Sequence, residues 1–343
     1  SLIPAPRARR ILPWLARLLL LAGTLEGMAA IALHELKVNR GIRFRVAPPL
    51  LSDQQRAQIA SFVEQERTWY QSFDSELGWR NSPGASSPGF TQSEQGLRSR
   101  RIYASEPPPG TIRIAAFGDS FVHGDEVADD AVWSARVEAT HPNLEVLNFG
   151  VSGYGVDQAY LRYLRDGRNT GARIVLVGFL ADDLYRNVNV FRPFLSPGTS
   201  QQLAKPRFRL EEGRLRLIPN PLARLQDYRR LLSNPEEVLL PLQATDAFFP
   251  DGYEAGPFDF LRTMRLVKIS IGEWHRRRTH RLRYGEGFET NSEAFQTTVA
   301  LLEAFQRAIA AADAHPLIVF FPDKNDLRAI RAGSEPSTWS DRP

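Results

Sequence analysis

Between residues 111 and 321, short apolar runs alternate with longer stretches whose apolar residues recur every three or four positions. Four runs predict buried strands, because strands covered on both faces are apolar along most of their length. They lie at residues 112–117, 145–147, 173–177 and 316–321. Helices are predicted around residues 131–140 and 156–165. Strands joined by helices predict right-handed crossovers and a parallel sheet with helices on both faces, an α/β fold of three layers.

The alternation is interrupted from residue 188 to about residue 285. Two runs of period-two alternation, 206–210 and 214–218, flank Glu211-Glu212-Gly213 and predict a β-hairpin, followed by a helical stretch. We interpret this segment as an insertion. The α/β pattern resumes at Thr290 and Glu293, whose spacing predicts a capping box that opens an amphipathic helix.

The N-terminal segment from residue 11 to residue 33 is mostly apolar, with interruptions at Pro13, Arg17 and Glu26. It predicts one helix outside the globular core. The arginines before it favour a single-pass signal anchor; the alternative is a signal peptide cleaved near Ala32. Either interpretation exports the rest of the chain to the periplasm or the cell exterior. The predicted organisation is an anchor at 1–34, a helical stalk with an irregular lead-in at 35–110, and the α/β domain at 111–343.

Composition narrows the function classes. The chain has 343 residues and 43% hydrophobic content, enough for a sizeable core, and a formal net charge of only +4. The arginine run Arg276-Arg277-Arg278 has no aromatic platform beside it, so we interpret it as a solvated helix face and expect no nucleic-acid partner. Cysteine is absent, which excludes disulfides and thiolate chemistry.

Three candidate loops follow three of the predicted strands. Gly118-Asp119-Ser120 follows the first, a glycine turn ending at Gly153 follows the second, and Asp182-Asp183 follows the third. The carboxyl ends of parallel strands meet at one edge of a sheet, so the loops should converge there. A serine at that edge is a candidate nucleophile that needs a base and an oxyanion site.

These blocks, in this order, resemble the GDSL/SGNH hydrolase family, and residues 76–80 and 183–187 are similar to its membrane-anchored bacterial branch. The resemblance covers about residues 75 to 325. It implies a flavodoxin-like α/β/α fold and an esterase or O-acyltransferase that works through an acyl group on Ser120. It implies no cofactor and no metal.

The resemblance also implies site residues, carried over by position. The oxyanion donors would be the amides of Ser120 and Gly153 and the side chain of Asp182. The substrate site is expected to include Asp119, His123 and Asp183.

Two features depart from the family pattern. Asp182 stands where the family has an asparagine, and a carboxylate repels the oxyanion that an amide would stabilise. The sequence also contains no Asp-x-x-His, the block that supplies the family's acid and base; we expect the chain to be truncated before it. The six histidines are His34, His123, His141, His275, His280 and His315. None has the expected context, and His123 is predicted to pack or to contact substrate.

Three hypotheses remain open. The first is an exported, membrane-tethered esterase or O-acyltransferase that acts on an acylated small molecule or on acyl groups of cell-envelope glycans or lipids. The second is a non-catalytic binding module that keeps the cleft without its base. The third is a metal-dependent phosphohydrolase that uses Asp119, Asp125, Asp182 and Asp183.

Overall fold

The structure is a computed structural model that describes residues 8–40, 44, 50–66, 70–250, 256–279, 283–284, 287–322 and 324–334. The chain divides into two compact units. One comprises Ser1–Pro49 and Pro250–Thr279, and the other Leu50–Phe249 and His280–Pro343. The division into anchor, stalk and α/β domain stays a prediction.

The described helices are α1 Ala8–Arg40, α2 Asp53–Gln65, α3 Ser120–His123, α4 Trp133–Thr140, α5 Val156–Arg162, α6 Asp182–Arg186, α7 Arg192–Leu195, α8 Leu225–Ser233, α9 Pro235–Leu239, α10 Arg262–Thr279, α11 Glu293–Ala310 and α12 Lys324–Arg331. A π-helical turn, Tyr163–Gly167, extends α5, and a 3₁₀ turn, Leu240–Ala244, follows α9. The described strands are β1 Gln71–Asp74, β2 Gly78–Asn81, β3 Ser86–Ser87, β4 Phe90–Thr91, β5 Ile112–Phe117, β6 Leu144–Asn148, β7 Ile174–Phe179, β8 Arg207–Glu211, β9 Arg214–Ile218, β10 Arg283–Tyr284, β11 Gly287–Phe288 and β12 His315–Phe320.

The central sheet has four parallel strands in the order β12-β7-β5-β6, and helices flank it. The predicted parallel sheet is therefore confirmed. Counted along the chain, the order is 2-1-3-4, the arrangement found in doubly wound flavodoxin-like sheets. The chain leaves β5 for a neighbour on one side and reaches β7 on the other. Such a reversal opens a crevice at the carboxyl ends of β5 and β7, where ligands of these sheets bind.

A charged pair lies inside this sheet. Arg113 on β5 stands directly opposite Glu145 on β6, and its Nε and Nη2 lie 3.0 and 2.8 Å from Glu145 Oε2. Arg113 Nη1 donates to the carbonyls of Ser105 and Thr170. The guanidinium has acceptors on all sides, which is what a buried charge requires.

Aromatic side chains fill the space between the sheet and its helices. Phe117 at the end of β5 stacks on Phe149, with ring centroids 4.6 Å apart, and packs edge-on against Tyr163. Phe305 of α11 contacts the same cluster. Helix α11 therefore packs against the core through Phe305, whereas Val299, also predicted on its apolar face, is exposed.

A second cluster of apolar side chains forms around Trp79 and Tyr154. Ile59 and Phe62 of α2, the helix predicted in the stalk, are buried in it. Ser52 and Gln55 form a capping box that begins α2.

The predicted hairpin is present as β8 and β9. Their register runs from Arg207 opposite Ile218 to Glu211 opposite Arg214. The two connecting residues both have positive φ, as a two-residue turn between twisted strands requires.

The predicted capping box at Thr290 and Glu293 is wrong. Helix α11 begins at Glu293, and its N-cap is Ser292, whose hydroxyl accepts a hydrogen bond of 3.2 Å from the amide of Phe295. Glu293 is thus the first helical residue and cannot occupy the third position of a box. Ser292 supplies the capping oxygen that the prediction gave to Thr290.

In the other unit, the predicted N-terminal helix is part of α1. The segment Pro13–Asn39 spans 27 residues and is long and apolar enough to cross a membrane. Its outward side chains are largely exposed, with Leu19 and Leu20 at 73% and 74%. Helix α10 packs along α1, and Glu26 accepts hydrogen bonds from the amides at the start of α10. The glutamate that interrupts the apolar run therefore caps a second helix.

Candidate active site

Ser120 begins α3 immediately after β5, the strand between β6 and β7. Asp119 is the N-cap, and its Oδ1 accepts a hydrogen bond of 2.9 Å from the amide of Phe121. The turn lies against β7: a Cβ at Gly118 would stand 2.4 Å from the carbonyl oxygen of Gly178. Only glycine allows this approach, which places Ser120, itself partly exposed, at the crevice of the sheet.

The glycine loop after β6 is fastened to the serine turn. Asn148 donates from its side chain to the carbonyl of Val122 at 2.8 Å and accepts from the amide of Gly150 at 3.0 Å. A Cβ at Gly150 would lie 2.4 Å from the amide nitrogen of His123, so the two loops touch through their backbones. This contact fixes the loop that carries Gly153.

The next residues of the glycine loop are held from the other side. The carbonyl of Ser152 accepts hydrogen bonds from the side chains of Gln71 and Trp79, at 3.1 and 2.9 Å. Gly153 follows with φ of +83°, a conformation that favours glycine. Within the described residues, neither the Gly153 amide nor the Ser120 amide donates a hydrogen bond. Both N–H groups are therefore without a partner among these residues.

The third loop places its two carboxylates differently. Asp182, the first residue of α6, is exposed, whereas Asp183 is buried and its Oδ2 accepts from the amide of Leu180 at 3.3 Å. The adjacent aspartates therefore have separate roles. Asp182 faces solvent at the position of the predicted oxyanion donor, and Asp183 anchors the loop.

Arg186 connects all three loops. Its Nη1 lies 2.8 Å from Asp119 Oδ2, 2.8 Å from Asp183 Oδ1 and 2.9 Å from the carbonyl of Tyr154. These acceptors belong to the serine turn, the third loop and the end of the glycine loop. This role of Arg186 was not predicted, although Asp183 and Arg186 are three residues apart on a helix, a spacing at which side chains can pair.

The carboxylates beside Arg186 are electrostatically coupled. Burial raises the pKa of Asp183 well above its usual value, the nearby charge of Asp119 raises it further, and Arg186 opposes both. Burial also raises the pKa of Asp119, again against Arg186. Because a single cation serves two buried carboxylates, their raised pKa values favour one proton bound to the pair.

His123 lies beneath the serine turn with its side chain 1% exposed. Its Nδ1 is 2.6 Å from Asp125 Oδ1, although the atoms are not aligned as a hydrogen bond, and its ring packs on Phe90 at 5.4 Å. Burial lowers the pKa of His123, and Asp125 only partly opposes this. The imidazole is therefore a neutral, packed group, and no hydrogen bond joins it to Ser120 among the described residues.

The other described histidines lie elsewhere. His34 is on α1, His141 ends α4, and His315 begins β12 at the amino edge of the parallel sheet, opposite the serine. The side chain of His275 and the whole of His280 lie outside the described residues. Within the part of the chain that the structure describes, no group of three or more His, Asp or Glu residues is arranged to hold a metal ion.

Comparisons with known proteins give distant likenesses only. No model of a protein family matches the chain, and no curated protein matches it. A protein from Desulfitobacterium hafniense DCB-2, described as lipolytic and of the G-D-S-L family, is 12% identical with a TM-score of 0.19, over 58% of this chain and 99% of that one.

Two esterase structures are similarly distant. A mutant of the esterase AlinE4 is 15% identical with a TM-score of 0.21, over 48% of this chain and 96% of that one. A mutant of Axe2, an acetyl-xylooligosaccharide esterase from Geobacillus, is 14% identical with a TM-score of 0.21, over 62% and 89%. TM-scores this low carry no argument about the fold or activity of this chain.

Proposed function

We propose that the chain is a serine esterase or O-acyltransferase of the GDSL/SGNH type that forms an acyl intermediate on Ser120. One observation carries the proposal: Ser120 starts a short helix at the switch point of the sheet, and Arg186 ties its loop to the two neighbouring loops. Nucleophiles and ligand sites of open α/β sheets occur at this position.

The proposed reaction proceeds in two steps. The Ser120 oxygen attacks the acyl carbonyl and the ester C–O bond breaks, and the proton that leaves Ser120 ends on the released alcohol. Water or an acceptor hydroxyl then attacks the acyl-serine and regenerates Ser120. The amides of Ser120 and Gly153, which donate no hydrogen bond among the described residues, are the proposed donors to the oxyanion in both steps.

Asp182 sets the strength of the proposed oxyanion site. It places an exposed carboxyl group where the family resemblance places an amide donor. Loss of one such donor costs on the order of 100- to 1,000-fold in rate. Oxyanion stabilisation would then rest on the two backbone amides.

The substrate and location follow from the N-terminal helix and the resemblance to the anchored branch. Pro13–Asn39 has the length and apolarity of a single-pass anchor or a signal peptide. A tethered domain of this type would face cell-envelope material. We therefore propose acylated glycans or lipids outside the cytoplasm as the substrates.

One observation favours the alternative, a non-catalytic binding module with the same cleft. Among the described residues, Ser120 has no histidine partner to take its proton, and His123, the nearest along the chain, is buried beside Asp125. A serine without a base is a weak nucleophile.

Acylation of the folded chain separates the two functions. With 4-nitrophenyl acetate, we expect a mass increase of one acetyl group on the peptide that contains Ser120, and none in Ser120→Ala. Ser233→Ala, which removes an exposed hydroxyl at the end of α8, serves as the matched control and should acetylate normally. Asp182→Asn should acetylate faster, since an amide replaces the repelling charge. A folded chain that acquires no acetyl group in any variant would support the binding module.

A further inference from the structure

A second arginine lies close to Arg186 but lacks its partners. Arg192 begins α7, and its amide donates to the carbonyl of Leu203 at 3.0 Å. The side-chain Nε and Nη1 are shielded from solvent, and neither has a hydrogen-bond partner. Among the described residues, Arg192 also forms no ion pair.

Two other buried arginines of this chain have acceptors for all three guanidinium nitrogens. Arg113 binds Glu145 and two carbonyls, and Arg207 binds Glu293 and the carbonyls of Val188 and Thr245. A guanidinium never loses its charge in the physiological range, so its buried N–H groups need acceptors. Arg98 and Arg162 each leave only Nε unpaired, whereas no side-chain nitrogen of Arg192 donates a hydrogen bond among the described residues, so Arg192 calls for a ligand.

Arg192 is connected to the glycine loop through the segment that binds its amide. Its acceptor Leu203 follows Gln201 by two residues, and Gln201 Oε1 lies 3.4 Å from where a Cβ at Gly153 would stand.

The charges near Arg192 keep it a cation. Burial lowers the pKa of Arg192 to about 10, the positive charge of Arg186 lowers it too, and Asp183 and Asp182 oppose them. The group therefore stays protonated at neutral pH. Asp183 is already bound by Arg186, and Asp182 is exposed, so neither carboxylate satisfies the buried N–H groups of Arg192.

We propose that Arg192 binds an anionic group of the substrate, a carboxylate or a phosphate, next to the ester that Ser120 attacks. This inference rests on the proposed function and narrows its substrate class to anionic esters. A free carboxylate or phosphate oxygen supplies the acceptor that the buried N–H groups lack. It also places a negative charge near Arg186 and Arg192, where two cations repel each other.

Anion binding to the full chain tests the proposal without relying on turnover. Calorimetric titration with inorganic phosphate and, separately, with acetate shows which anion the site prefers. Arg192→Gln should lower the affinity for the preferred anion at least about tenfold, since hydrogen bonds to charged groups are stronger than those between neutral groups. Arg229→Gln, at an exposed arginine of α8, is the matched control and should leave the affinity unchanged.

The outcomes are distinct. Equal affinity for the preferred anion in the unsubstituted protein and in Arg192→Gln would overturn the proposal. If the thermal transition shows that Arg192→Gln does not fold, Arg192→Lys takes its place. The lysine keeps the positive charge but lacks the planar donors of arginine. Undiminished anion affinity in Arg192→Lys would also overturn the proposal. Ser120→Ala should bind the anion normally. Loss of acetylation in Ser120→Ala with intact anion binding in Arg192→Gln would leave the esterase standing and remove only the anion site.

Discussion

At the level of single residues, one guanidinium atom, Arg186 Nη1, serves acceptors from three loops, and two of them are buried carboxylates. Replacing Arg186 with methionine would leave Asp119 and Asp183 without their cation. We expect a loss of about 3–5 kcal/mol in the free energy of unfolding, measured with urea at pH 7.5. The loss should shrink at lower pH, because protonated carboxyls no longer need the cation.

The control for Arg186 is Arg216, which pairs with Glu211 on the exposed hairpin. Arg216→Met should cost no more than about 1 kcal/mol, because exposed ion pairs are screened by water. Equal small losses in the two variants would contradict the role of Arg186 as the connection between the loops.

His123 provides a test based on pH. Burial lowers its pKa in the folded state, whereas the unfolded chain takes up a proton near pH 6.5. Below that pH the unfolded state binds more protons than the native state, so the protein loses stability, and His123→Gln lacks this loss. The difference in free energy of unfolding between the unsubstituted protein and His123→Gln should narrow by about 1 kcal/mol from pH 7.5 to pH 5.5, measured by urea unfolding. A constant gap would mean that the imidazole titrates normally.

The sequence motifs were enough to predict that the candidate site residues follow parallel strands. They did not predict which of these side chains are buried or what they bind. Ser120 and Gly153 follow parallel strands, as patterns of local sequence allow one to expect. The burial of Asp183 and the orphaned N–H groups of Arg192 depend on side chains from distant segments. Local sequence contains no measure of such contacts.

At the level of elements, Ser292 tests the corrected start of α11. Ser292→Ala should reduce the free energy of unfolding by about 1 kcal/mol, because the amide of Phe295 loses its acceptor. Thr290→Ala, two residues earlier on the exposed approach to the helix, is the matched control and should change it little. Thermal unfolding measures both. A larger loss in Thr290→Ala would restore the predicted capping box.

The elements themselves were more predictable than their ends. The strand around residues 145–147 was predicted from its apolar run and extends over Leu144–Asn148. The cap of α11 was misplaced because Thr290 and Ser292 both carry a capping hydroxyl, and spacing alone favoured the wrong one. The packing of α10 on α1 was not predicted, since nothing local marks Glu26 as a cap for a helix more than 200 residues away.

At the level of the whole molecule, α1 provides a test of the proposed membrane anchor. We expect the full chain to sediment with membranes and to need detergent for extraction, because a long apolar surface of α1 is exposed. Leu19→Arg combined with Leu20→Arg should shift it to the soluble fraction, at about 2.5–3.5 kcal/mol for each arginine at the centre of a span. Arginines at Leu217 and Leu240, exposed leucines of the other unit, are the control. Identical partitioning of both variants would argue against the anchor.

The three-way contact of Arg186 also affects local opening of the loops around the cleft. Arg186 belongs to the third loop, so outward movement of that loop would leave Asp119 and the carbonyl of Tyr154 without their donor. The free-energy cost of such local opening would involve segments 32 and 67 residues away in the chain. If the proposed function holds, we expect an ester to meet three loops that are already tied together, so that selection depends on the shape and charge of the cleft.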